Sequence, residues 1–119
     1  MKICFYGTRV ALICGLMVLQ GCKWWGTNAT ASNVLVINVL DQGSYEDCHI
    51  KGSIHVPFAE LQQKTAMWPK NKIIVVYCAN YMCTASAMAA VKLRSYGFEK
   101  VYAYEAGAAA WYQAGLPLE

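Results

Sequence analysis

Two cysteines, Cys78 and Cys83, bracket a loop of four residues, Ala79-Asn80-Tyr81-Met82. A thiolate is a nucleophile that can take up a transferred group. Two thiols held together can also be oxidised to a disulfide. Closing so small a loop adds only about 2 kcal/mol on chain-entropy grounds, so the interest of such a bridge is its reactivity. Cys48 is a third candidate partner if the fold brings its turn to the loop. For Cys83 the alternative is a small buried residue in the first turn of a helix. Both readings stand on sequence.

The elements around the loop say how a thiol is presented. Ile73-Ile74-Val75-Val76 is an unbroken β-branched apolar run, the pattern of a parallel strand covered by helices. Cys78 then falls at the carboxyl end of that strand, where open α/β sheets bind ligands. From Thr84 the sequence TASAMAAVKLRSY is rich in helix formers, has an N-cap candidate in Thr84 and stops at Gly97. A cysteine before a helix N-terminus meets unpaired N–H groups and the positive end of the dipole. The expectation is a Cys78 thiolate more accessible than the model-peptide pKa of about 8.5 implies.

Before the loop, Val34-Leu35-Val36-Ile37 reads as a strand, Ser44 to Cys48 as a helical turn, Ser53 to Val56 as a short strand, and Ala59 to Met67 as a helix closed by Pro69. After it, Val101 to Tyr104 reads as a strand and Ala108 to Ala114 as a helix. Alternating strands and helices imply a mostly parallel central sheet flanked by helices. The chain has 119 residues, room for one domain, and 57% of them are hydrophobic, enough for a core without disulfides.

The amino-terminal part is not expected to join that core. Lys2 and Arg9 precede the apolar run Val10 to Leu19, about half the roughly 20 residues a spanning helix needs and the length of a signal-peptide core. Leu19-Gln20-Gly21-Cys22 resembles a bacterial lipobox, which implies a signal peptide over 1–21, a lipidated Cys22, a tether over 22–33 and a folded domain over 34–119. The implied location is the bacterial cell envelope, on the periplasmic face of a membrane, with Trp24 and Trp25 suited to the interface. The chain has ten basic and seven acidic residues; without Lys2 and Arg9, eight basic residues remain. With no basic cluster interleaved with aromatics, no nucleic-acid partner is expected.

The segments Val36-Ile37-Asn38-Val39, Tyr45 to Pro57 (YEDCHIKGSIHVP), Val75-Val76-Tyr77-Cys78, and Val101-Tyr102 through Trp111 to Gly115-Leu116-Pro117 occur in the order of a single-domain rhodanese, which the domain resembles. The resemblance implies a three-layer α/β fold and sulfurtransferase activity. Cys78 matches the cysteine that holds sulfane sulfur as a persulfide. Ala79, Asn80, Tyr81 and Met82 would supply loop amides that stabilise the anion. Partners would be a small sulfur donor and a thiol or cyanide-like acceptor, with no cofactor and no metal. The His-Ile-x-Gly histidine, His49, would hold its turn by hydrogen bonding.

Three departures bear on substrate. Many family members end the loop in an arginine whose planar fork engages oxyanions such as thiosulfate; here that position is Cys83. The early Asp-Val-Arg is Asn38-Val39-Leu40, and the Gly-Gly before the last helix is Ala106-Gly107. Thiosulfate turnover and phosphatase or arsenate-reductase chemistry are disfavoured. Cys83 becomes a candidate resolving thiol, able to release sulfide or water from a persulfide or sulfenic acid on Cys78. A thiol-disulfide protein and a non-catalytic binding module remain the alternatives.

Overall fold

The computed structural model describes residues 33–119. The elements run β1 (Val34–Asn38), α1 (Gln42–Asp47), β2 (Ile54–His55), a 3-10 turn (Phe58–Glu60) leading into α2 (Leu61–Thr65), β3 (Ile73–Tyr77), α3 (Ala85–Ser95), β4 (Lys100–Tyr104) and α4 (Gly107–Gln113). All four strands are parallel, in the order β2-β1-β3-β4. Parallel neighbours need crossovers, and each connection here carries helix. The α/β class read from the alternation is the one observed. The expected signal peptide and nearly all of the tether lie outside the described residues. Among the described residues no helix is long and apolar enough to cross a membrane.

Boundaries moved where local chemistry outweighed pattern. Asp41 starts α1 earlier than read, because its carboxylate accepts from Ser44 N at 3.0 Å and from Ser44 Oγ at 2.7 Å. Those bonds hold the Asp41 carboxyl below its usual range. The helix read over Ala59 to Met67 opens instead as a 3-10 turn and ends at Thr65, with Glu60 N donating to Pro57 O at 2.8 Å. Thr84 is the N-cap of α3 as expected, but its side chain makes no capping bond.

Ile74 and Val76 are fully buried and share a core with Leu61 of α2, Ala89, Ala90 and Leu93 of α3, and Phe98. Tyr77 is out of phase with them and points to the other face. There its hydroxyl accepts from Ile50 N at 2.9 Å and bonds Ser53 Oγ at 2.8 Å. The carboxyl-terminal tail closes on the same turn. His49 N donates to Glu119 O at 2.9 Å, Glu119 N to His49 O at 2.8 Å, and Trp111 Nε1 to Pro117 O at 2.9 Å. The His49-Ile50 turn and the Gly115-Leu116-Pro117 tail, far apart in sequence, therefore form one antiparallel bridge at Ile50 and Leu118.

Candidate active site

Strand β3 ends at Tyr77, so Cys78 is the first residue beyond the sheet's carboxyl edge, as the apolar run implied. The loop it opens is held from below by α4. Ala108 N donates to Cys78 O and Ala109 N to Ala79 O, both at 3.0 Å. That approach needs Gly107, with φ of +66°. A Cβ there would stand 2.5 Å from Cys78 O and 2.6 Å from Ala79 C. Within the loop, Cys83 N donates to Asn80 O at 3.0 Å and Met82 N to Asn80 Oδ1 at 2.9 Å, so Asn80 ties the turn to itself.

Cys78 and Cys83 are both free thiols, while Cys48 is disulfide-bonded and offers none. Their environments differ. Cys78 is 0% exposed. Its thiol donates to Cys83 O at 3.1 Å and has Ser86 Oγ at 3.6 Å and Asn80 O at 3.9 Å. A cage containing two carbonyl oxygens suits an S–H and opposes a thiolate. Burial pushes the Cys78 thiol up, the Cys83 side chain adds to this, and Ser86 pulls it partly back.

Cys83 is partly exposed. Burial acts to raise it too, yet the Cys78 thiol and the backbone N–H groups of Ala85 and Ala79 outweigh that and hold it below the ordinary range. The Ala85 amide belongs to the first turn of α3, where Thr84 provides no side-chain cap. The expected ease of ionisation of Cys78 is thus corrected. The Ala85 amide favours the thiolate at Cys83 instead, while the Cys78 sulfur is buried against carbonyl oxygens. Met82 N–H is bonded within the loop, to Asn80 Oδ1.

Tyr81 and Met82 are 75% and 89% exposed and form an apolar rim. Beside the loop lies a cavity of about 160 Å3 lined by Leu40, Asp47, Cys48, Ala79, Ala108 and Leu118, among others. It is mainly apolar, and the cations of the chain are absent from its lining. Cys48 and Ala79 of the loop thus face one cavity.

His49 Nδ1 donates to Tyr45 O at 2.8 Å and its ring stacks on Tyr45 at 3.8 Å, a turn-holding arrangement. His55 Nε2 donates to Leu40 O at 2.7 Å. Both imidazoles are thus engaged with backbone carbonyls, and no group of three potential metal ligands occurs among the described residues. Asn38 is 0% exposed; its Oδ1 accepts from Leu40 N at 2.9 Å and its Nδ2 is unpartnered. Sequence reasoning missed Ser86 and Gly107 as parts of the site. Ser86 was legible as the third residue beyond Cys83, and Gly107 as the glycine preceding an alanine helix.

Residues 23–114 match the model of the rhodanese-like domain. The thiosulfate sulfurtransferase GlpE of Coxiella burnetii is 34% identical over 79 residues, 66% of this chain and 72% of that protein. GlpE of Vibrio cholerae is 30% identical over 84 residues, covering 71% and 77%. Among solved structures, the Rhodanese_3-like domain of Alr3790 from Anabaena is 33% identical, with a TM-score of 0.67 covering 72% of this chain and 98% of that one.

Proposed function

The chain belongs to the rhodanese-like family, and from that premise we propose that it is a sulfurtransferase that holds sulfane sulfur as a persulfide on Cys78. The observation carrying this is the position of Cys78, at the end of β3 in a loop locked by the α4 amides. A cysteine thiolate attacks the sulfane sulfur of a donor, the donor's remaining fragment leaves with the electron pair of the broken bond, and a nucleophilic acceptor later removes the outer sulfur. The relatives named thiosulfate sulfurtransferase support the reaction class. The cation-free segment from Cys78 to Val91 and the apolar cavity argue for an organic persulfide or polysulfide donor over thiosulfate.

Intact mass of the reduced protein after exposure to a polysulfide tests this. One added sulfur, removed by cyanide and absent from Cys78→Ser, is expected. No added sulfur, with loss of two hydrogens under mild oxidant, would transfer the assignment to a Cys78–Cys83 redox pair.

Attachment to the periplasmic face of a bacterial membrane through a lipidated Cys22 is proposed on Leu19-Gln20-Gly21-Cys22 following the apolar run. Labelling with a clickable fatty acid should mark the protein, and Cys22→Ala should abolish the label.

A further inference from the structure

We propose that sulfur enters this site at Cys83 and is stored on Cys78, the two thiols working as a relay. The inference rests on the sulfur-carrier reading of Cys78 and assigns the residue that meets the donor.

The geometry separates the two tasks. A donor approaching the loop from solvent meets Cys83, which is partly exposed beside the apolar Tyr81 and Met82, whereas Cys78 is fully enclosed. Around the Cys78 sulfur stand Cys83 O at 3.1 Å, Ser86 Oγ at 3.6 Å and Asn80 O at 3.9 Å, and these must move before an external sulfur can line up with it. The backbone N–H groups of Ala85 and Ala79 act instead on the Cys83 thiol and favour its thiolate, the attacking form. The Cys78 sulfur sits 3.1 Å from the carbonyl oxygen of Cys83, so the loop holds the two residues side by side.

The steps balance without an external oxidant or reductant. The donor is a low-molecular organic hydropersulfide, R–S–SH. The Cys83 thiolate attacks the outer sulfur; the bond between the donor's two sulfurs breaks, and R–S⁻ leaves with the electron pair. Cys83 now carries –S–SH. The Cys78 sulfur then attacks the terminal sulfur, which keeps its own proton; the bond joining that sulfur to Cys83 breaks, and the Cys78 proton passes to the departing Cys83 sulfur, which loses it to solvent and is regenerated as thiolate. The result is Cys78–S–SH, held where bulk thiols reach it slowly. Attack on the inner sulfur would instead close a Cys78–Cys83 disulfide and release hydrosulfide, so the stable product separates the two courses.

Two measurements on the full chain test the relay. In the first, limiting iodoacetamide and peptide mapping of the unsubstituted protein should find Cys83 alkylated about tenfold or more faster than Cys78, because its thiol is the accessible one and its thiolate the favoured one. In the second, rapid-quench mass spectrometry with an alkyl hydropersulfide should trap sulfur on Cys83 in Cys78→Ser. Cys83→Ser should load Cys78 about tenfold or more slowly, and the unsubstituted protein should finish with its sulfur on Cys78. Loading of Cys78 at an undiminished rate in Cys83→Ser would overturn the relay and leave the sulfur-carrier reading intact. Absence of sulfur from all three proteins would overturn both. The alkylation order needs no variant, so Cys78 reacting first would overturn the relay even where a variant fails to fold.

Discussion

Gly107 stands so close to the carbonyl of Cys78 that a methyl group on it would lie 2.5 Å from that oxygen. The contact is backbone against backbone and cannot be relieved by turning a side chain. Gly107→Ala should therefore cost about 3 kcal/mol, from a φ of +66° and from loss of the amide bonds to Cys78 O and Ala79 O. Gly115, with φ of +73° and nothing within 4 Å of its would-be Cβ, is the control; Gly115→Ala should cost about 1 kcal/mol, from conformation alone. Urea midpoints compare the two, and equal losses would mean that the close approach to Cys78 has no energetic weight.

The parallel α/β sheet was legible because β-branched runs such as Ile73 to Val76 and a helix stop such as Gly97 are written in residue types. The direction of the sulfurs was not. Which of the two thiols is enclosed depends on how Asn80 folds the loop, with Met82 N on its side chain and Cys83 N on its carbonyl. A linear reading of cysteine before helix cannot resolve that turn. Likewise Tyr77 looked like the last residue of an apolar strand, while its hydroxyl reaches the turn at Ile50 and Ser53, which sequence separation hides.

Tyr77→Phe removes an acceptor from Ile50 N–H and a partner from Ser53 Oγ, in a site where Tyr77 is 0% exposed. Leaving buried groups unsatisfied should lower stability by about 1–3 kcal/mol in urea denaturation. The ring itself is retained, so packing in β3 and sulfur loading per molecule should persist. A loss below about 0.5 kcal/mol would show that water replaces the hydroxyl at no net cost.

The two thiols should make stability depend on pH in opposite senses. The folded state raises Cys78, so its contribution is full below the unfolded thiol value of about 8.5 and is lost as pH rises through the folded value. The folded state lowers Cys83, so its contribution is present above the unfolded value and is lost as pH falls through the folded one. In reducing buffer, Cys78→Ser should weaken the decline in urea midpoint above about pH 8.5. Cys83→Ser should lose stability relative to the unsubstituted protein as pH climbs toward that value. Parallel curves for all three proteins would show that neither thiol changes its acidity on folding.

By the motif resemblance Cys83 takes the place of an arginine that would engage donor oxyanions, and its exchange tests what that position selects. The guanidinium brings a planar fork of charged donors to a loop that lacks any charged side chain from Cys78 through Val91. Cys83→Arg should raise thiocyanate formation from thiosulfate and cyanide by about tenfold or more, a modest return for a charge-assisted pair. The same change removes the sulfur of Cys83, so loading from an alkyl hydropersulfide should slow. A cation near the N-terminus of α3 opposes the helix dipole, at a cost of about 0.5 kcal/mol that leaves the fold standing. Opposite movement of the two donors would establish this loop position as the selector between oxyanion and organic persulfide. Unchanged thiosulfate turnover would place the barrier elsewhere, with Asn38 and Leu40 the next positions to exchange.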